Sequence, residues 1–118
     1  MFLLRMFFMK NILYVQNTAY LFIRIKTKKK YVQSVLHLLY ESIAPTHKEQ
    51  ACQEYKILCD GEEIIVLGRW ENKMSLDMHL LFQYHLALFE ETLPPLCKKI
   101  SVKTYEELEP PITALSVS

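Results

Sequence analysis

Glycine is scarce in this chain, since the 118 residues include only Gly61 and Gly68. A loop that wraps a phosphate group needs at least two closely spaced glycines, as in GxGxxG or GxxxxGK[ST]. Gly61 and Gly68 stand alone and fit neither pattern. The sequence therefore excludes nucleotide-binding loops of both kinds.

Cysteine is also scarce, and its spacing carries no metal motif. Cys52, Cys59 and Cys97 are odd in number, with no CxxC pair and no Cys/His pair at zinc spacing. We therefore expect three reduced, mostly buried thiols and a cytoplasmic protein.

The chain has no uncharged apolar run near the roughly 18 residues that a membrane-spanning helix requires. Met1–Met9 is apolar apart from Arg5, but Lys10 and Asn11 interrupt the run, and no convincing signal-peptide cleavage site follows. We expect residues 1–17 to form an N-terminal extension, with a membrane anchor as the less favoured alternative.

Charge is unevenly distributed along the chain. Residues 1–48 carry eight Lys/Arg and one acid, whereas residues 49–118 carry six Lys/Arg and twelve acids. The cluster of Lys26 and Lys28–Lys30 is compatible with nucleic-acid binding or with a solvated turn. The turn is the favoured interpretation, so we predict no nucleic-acid partner. The opposite charges are expected to neutralise each other within one fold or across a dimer.

A hydrophobic content of 51% and a charged content of 23% are typical of one globular domain, predicted here over residues 18–105 with a tail over 106–118. Alternating and helical periodicities predict its elements. These are a strand over 18–26, a helix over 31–44 closed by Pro45, strands over 52–59 and 63–70 around the Asp60-Gly61 turn, a helix over 73–82 capped by Asn72, a second helical stretch over 84–93, and a strand over 98–105.

The order βαββαβ predicts an α+β, ferredoxin-like fold, with one antiparallel sheet and both helices on one face. The opposite face is expected to carry apolar side chains, namely Tyr55, Ile57, Ile65 and Leu67. An exposed apolar patch of that kind usually marks an interface. We therefore predict a two-fold homodimer in which a second sheet covers the first.

Candidate site residues concentrate between Glu49 and Phe89, and each has a purely structural alternative. His79 lies mid-helix, where a histidine is commonly a satisfied, half-buried residue. Trp70 ends a strand and is compatible with core packing, and His85 with a helix cap. The spacing of six between His79 and His85 does not place them on one helix face, so no metal site is predicted.

The segment nevertheless resembles the antibiotic biosynthesis monooxygenase family. It contains Glu49-x-x-Cys52-x-x-Tyr55, a hairpin, Arg69-Trp70, His79, His85 and Phe89, against a family pattern of roughly E-P-G-C-x-x-Y, E-x-W and H-x-x-x-x-H-x-x-x-F. Gln50-Ala51 replaces Pro-Gly, Gly68 stands where the family has Glu, and the second histidine is one residue late. The resemblance covers about residues 18–105.

This resemblance implies a dimeric α+β barrel that oxidises a small aromatic quinol or anthrone-like substrate with O₂, without cofactor or metal. His79 matches the first family histidine and is expected to be the catalytic base in an apolar cavity beside Trp70. Trp70 would form an aromatic wall, and Tyr55 or Arg69 would steady the developing oxyanion. Tyr84 and His85 complete the expected substrate site.

The departure at Gly68 keeps a second hypothesis open. Loss of an acid from the pocket would suit a protein that retained the fold without the chemistry. That alternative is a dimeric small-ligand-binding or stress-associated protein.

Overall fold

The structure, a computed structural model, describes residues 17–108. Four strands form one antiparallel sheet in the order β2-β3-β1-β4, which confirms the predicted ferredoxin-like α+β fold. The expected N-terminal extension and C-terminal tail lie outside the described residues, apart from their innermost positions. The strands are β1 (Ala19–Thr27), β2 (Cys52–Asp60), β3 (Glu63–Trp70) and β4 (Cys97–Glu106).

The helical segments form two groups in the chain, one after β1 and the other after β3. No helix within residues 17–108 is long and apolar enough to cross a membrane. The α-helices are α1 (Val32–Glu41), α2 (Ile43–His47), α3 (Lys73–Leu81) and α4 (Gln83–Leu86); a π-helical segment, Ala87–Thr92, continues directly from α4, and 3₁₀ turns occupy Lys29–Tyr31 and Pro94–Leu96.

The prediction that one helix runs to Ala44 and ends at Pro45 is wrong. The helix α1 ends at Glu41, and Ser42 Oγ donates a hydrogen bond to the Leu39 carbonyl at 2.6 Å. Pro45 is the third residue of α2. Proline is tolerated there because the first-turn N–H groups of a helix have no partner within the helix. Ser42, between the two helices, and Thr46, in α2, are both buried.

The helix α3 starts at Lys73, as predicted. It ends at Leu81, and a separate helix, α4, follows. The Asn72 side chain accepts a hydrogen bond from the Ser75 N–H at 2.9 Å, the geometry of an N-cap. Phe82 is extended, with φ −65° and ψ 141°, so α4 starts afresh at Gln83. His79 lies in α3 and His85 in α4, and the extended residue Phe82 separates the two helices.

The core lies between the sheet and the helices. The buried residues of β1 and β3 that form its floor are Leu21, Ile23, Ile25, Ile64 and Val66.

The expectation for the helix-free face holds for Ile65 and Leu67 but is wrong for Tyr55 and Ile57. The turn at Gly61, where φ is +64°, pairs Asp60 with Glu63. Even-numbered positions of β2 therefore oppose odd-numbered positions of β3, and side chains alternate between faces along each strand. Tyr55, which pairs with Gly68, consequently lies on the helix side and is buried.

The helix-free face is mixed rather than continuously apolar. Phe22 and Leu58 are exposed there beside Leu67, while Arg24 forms an ion pair with Glu63 at 2.5 Å. Homodimerisation through this face stays a prediction.

Candidate functional site

A single carboxylate, that of Glu49, joins three side chains from different elements. Glu49 lies in the loop between α2 and β2. Its Oε1 accepts a hydrogen bond from Trp70 Nε1–H at 2.9 Å, and its Oε2 lies 2.6 Å from His79 Nδ1. The Tyr84 hydroxyl donates to the same Oε2. Glu49 therefore connects the end of β3 with α3 and α4.

His79 is completely buried at the centre of an aromatic cluster. Its ring centroid lies 4.6 Å from that of Trp70, 4.9 Å from that of His85 and 5.9 Å from that of Tyr55. Burial lowers the pKa of His79, and the adjacent Glu49 opposes that effect only in part. His79 is therefore neutral at neutral pH.

The hydrogen bonds assign the tautomer of His79. Because the Glu49 carboxylate already accepts from Trp70 and Tyr84, we assign the ring proton to Nδ1, as the third donor to it. The lone pair then lies on Nε2, a buried atom with no hydrogen-bond partner among residues 17–108. A neutral imidazole oriented by a carboxylate is the usual arrangement of a histidine base.

Tyr84 links this cluster to a space that a ligand can occupy. Its hydroxyl lies 3.3 Å from His79 Nδ1 and 3.2 Å from Thr46 Oγ1. Burial, followed by the neighbouring Glu49, raises the pKa of Tyr84, so the phenol keeps its proton.

A cavity of about 310 Å³ lies between the α1–α2 region and the α4–π-helical region. Its walls combine apolar side chains with hydroxyl groups, as small-molecule sites commonly do. A ligand here would contact Tyr84, one hydrogen bond away from Glu49. The lining residues are Leu38, Glu41, Ser42, Pro45, Tyr84, Ala87, Leu88 and Thr92.

A larger groove of about 570 Å³ lies on the helix-free face of the sheet. It contains none of the side chains in the Glu49 cluster, so we do not assign the candidate site to it. Its lining residues are Phe22, Arg24, Ile65, Ser101, Lys103 and Tyr105.

Tyr55 and His85 both join the cluster. The Tyr55 hydroxyl lies 3.2 Å from Ser42 Oγ, and its ring makes an edge contact with Trp70 at 6.2 Å between centroids. His85 is buried against Phe89, with 4.6 Å between centroids.

Arg69, in contrast, is not brought to the cluster. It precedes Trp70 in β3 and pairs with Tyr20 and Glu54, so strand alternation places it on the helix-free face. The geometry gives no support for the expected contact between Arg69 and an oxyanion beside His79.

The position of the cavity also differs from expectation. The rings of His79 and Trp70 are in contact, so no ligand-sized space separates them. The cavity instead adjoins Tyr84.

Glu49, Ser42 and Thr46 were absent from the predicted site. Glu49 opens the motif that carries the family resemblance, and that place in the motif was the signal that could have identified it. Ser42 and Thr46 lie within three residues of Pro45. The sequence did not indicate that they are part of the site, because their burial depends on the break between α1 and α2. Within residues 17–108, no group of three His, Cys, Asp or Glu side chains is placed to bind a metal.

The buried histidines predict a stability that falls in mild acid. Burial, together with the neighbouring His79, lowers the pKa of His85 to about 4. In the unfolded chain a histidine titrates near pH 6.5, so between pH 6.5 and 4 the unfolded state binds more protons. Acidification across that window should therefore cost up to about 3 kcal/mol at His85 alone.

Urea unfolding at a series of pH values measures this loss. The variant His85→Gln should lose less stability than the parent between pH 6.5 and 4. The control His37→Gln, at an exposed helix position, should keep the parental profile. Equal acid sensitivity in His85→Gln and the parent would show that His85 is not the source.

Comparison with known proteins identifies the fold. No protein-family model matches the chain, and no curated protein matches it. Among solved structures, protein SO0527 from Shewanella oneidensis aligns with a TM-score of 0.74 and 17% identity, over 79% of this chain and 93% of that one. Rv0793 from Mycobacterium tuberculosis aligns with a TM-score of 0.70 and 21% identity, over 79% and 97%.

A structure described as an antibiotic biosynthesis monooxygenase aligns with a TM-score of 0.68 and 17% identity, over 77% of this chain and 99% of that one. The chain thus has the fold seen in antibiotic biosynthesis monooxygenases. At these identities the likeness establishes the fold alone.

Proposed function

We propose that this protein is a cofactor-independent monooxygenase that oxidises a small aromatic quinol or anthrone-like compound with O₂. The observation that carries the proposal is the Glu49 carboxylate, whose side chain is only 13% exposed and which joins His79 to Tyr84, a residue that lines a cavity. The fold shared with an antibiotic biosynthesis monooxygenase supports the same assignment.

The first step is removal of a proton from the substrate. A substrate hydroxyl in the cavity donates to the Tyr84 oxygen, while Tyr84 passes its own proton to Glu49. Glu49 then holds the added proton, while His79, whose Nδ1 already carries the ring proton, stays neutral and donates to the same carboxyl group. Tyr84 suits this relay because its raised pKa keeps the phenol protonated until the substrate arrives.

The second step is electron transfer from the substrate anion to O₂. The substrate radical and superoxide combine into a peroxide, which takes the proton back from Glu49. Loss of water from the hydroperoxide leaves a new carbonyl group. One oxygen atom of O₂ enters the product and the other enters water.

One observation favours a second candidate function, binding without reaction. His79 is completely buried, and its ring is in contact with Trp70. A small-ligand-binding protein would use the same cavity at Tyr84 without transferring a proton to Glu49.

Oxygen consumption with a panel of quinols and anthrones tests the proposal. We expect one O₂ consumed per substrate molecule and, with ¹⁸O₂, one labelled oxygen in the product. Substrates blocked as O-methyl ethers are the control and should not react, because they lack the acidic proton. A panel member that raises the melting temperature without consuming oxygen would favour the binding protein. Hydrogen peroxide formed without label in the product would contradict monooxygenation.

A further inference from the structure

The indole of Trp70 occupies space that a side chain at position 68 would need. A Cβ added to Gly68 would lie 2.4 Å from Trp70 Cζ3, 2.8 Å from Trp70 Cη2 and 3.3 Å from Tyr55 Cδ1. Contacts under 3.0 Å are not tolerated between such atoms, and Trp70 is itself completely buried. Even alanine at position 68 is therefore incompatible with the observed place of the indole.

In this position the indole makes two contacts with the Glu49–His79 pair. Its N–H donates to Glu49 Oε1 at 2.9 Å, and its ring packs on His79 with 4.6 Å between centroids and 42° between planes. Tyr55, which pairs with Gly68 across the strands, closes the other side of the indole. The indole is thus held over Gly68 by contacts with Tyr55, Glu49 and His79.

We propose that Gly68 is a positioning residue: its missing side chain leaves room for the Trp70 indole on the sheet, and the indole in that position holds Glu49 and His79 in their observed contact. Gly68 acts through Trp70 and touches no substrate. The inference concerns the state of the pair in the free protein, so it holds whether the protein oxidises its ligand or only binds it.

The proposal makes a directional statement about the titration of His79. Displacing the indole would let water approach the imidazole, which weakens the burial that lowers its pKa. Glu49 would also lose one donor and would interact more strongly with a protonated His79. Both effects raise the pKa of His79. The titratable groups that face this ring are Glu49, Tyr55, Tyr84 and His85, and a change at position 68 replaces none of them.

The experiment is an NMR titration of the histidine ring protons in the full chain and in Gly68→Ala. The His79 signal is assigned from its disappearance in His79→Gln. We expect the His79 midpoint to move to higher pH in Gly68→Ala. Trp70 is the only tryptophan, so its emission reports the indole directly and should shift to longer wavelength as the ring gains solvent contact.

Gly61→Ala is the matched control, because it makes the same change at the only other glycine. Nothing lies within 4 Å of a Cβ at Gly61, while its φ of +64° strains any side chain. This variant should lose stability through its backbone and keep the parental His79 midpoint and Trp70 emission. A loss of stability alone is therefore not mistaken for repositioning of the indole.

A compensating variant keeps the proposal testable where Gly68→Ala does not fold. In Gly68→Ala/Trp70→Phe the smaller ring leaves room for the new methyl group, so folding should be recovered, with a His79 midpoint still above the parental one because the Glu49 donor is missing. A folded Gly68→Ala with parental midpoint and emission would overturn the proposal. So would a shift of equal size in Gly61→Ala, or a double variant less stable than Gly68→Ala.

Discussion

Replacing His79 with alanine is expected to slow oxygen consumption by about 10²–10⁴-fold, the usual contribution of a general base. In the proposed reaction, Glu49 stores the substrate proton while the substrate anion reacts with O₂. Without the imidazole, the carboxylate of Glu49 loses the partner that lies 2.6 Å from it. The initial rate at saturating substrate, measured with an oxygen electrode, gives the loss directly.

Two further variants test two of the donors to Glu49. His79→Gln keeps an N–H donor for Glu49, so its rate should recover part of the loss seen in the alanine variant. Tyr84→Phe keeps the ring and removes the hydroxyl that donates to Glu49, and a loss comparable to that of His79→Ala is expected. A His79→Gln variant as slow as His79→Ala would show that the N–H donor to Glu49 is not what the imidazole supplies.

The pH dependence of the rate follows from the same geometry. Neutral His79 is the active form, and burial lowers its pKa below the ordinary value near 6.5. Activity should therefore decline only below pH 6.5 as the solution is acidified. A decline centred at or above pH 6.5 would contradict a buried base.

The fold was predictable because its signals are local. Strand β1 alternates strictly between the core and the helix-free face, and the Asp60-Gly61 turn separates β2 and β3 at the expected place. The N-cap at Asn72 likewise depends on a side chain and an N–H three residues apart. The residues of each such pattern lie close together in the sequence, so the local structure they form depends little on tertiary packing.

The errors in the predicted fold arose where a shift of one residue changes the structure. The pairing of Asp60 with Glu63 decides which face of the sheet Tyr55 occupies, and hydrophobic spacing within a single strand does not reveal that pairing. Similarly, Pro45 is allowed in the first turn of a helix as readily as it ends one. The sequence alone does not choose between those two uses.

The site was only partly predictable because its centre is a long-range contact. Glu49 reaches Trp70, His79 and Tyr84, which follow it by 21, 30 and 35 residues. The resemblance identified the aromatic and histidine members, but nothing local marked Glu49 as their common partner. The cavity beside Tyr84 depends on how α1, α2 and α4 pack, which periodicity does not determine.

Replacing Trp70 with alanine is expected to destabilise the protein by about 3–5 kcal/mol, the usual cost of removing a large buried aromatic side chain. The ring is completely buried and contacts both Tyr55 and His79, so its removal leaves a void that the strand cannot close. The Glu49 carboxylate also loses the indole N–H donor. Urea unfolding at neutral pH, followed by far-ultraviolet circular dichroism, measures the difference.

Two controls distinguish the origin of this loss. Leu81→Ala removes a large side chain that is 70% exposed, so it should change stability by less than about 0.5 kcal/mol. Trp70→Phe retains most of the ring without the N–H, so its smaller loss estimates the hydrogen bond to Glu49 together with the reduced ring area. A Trp70→Ala variant as stable as Leu81→Ala would mean that the indole does not pack over Gly68. The positioning of the Glu49–His79 pair would then need another explanation.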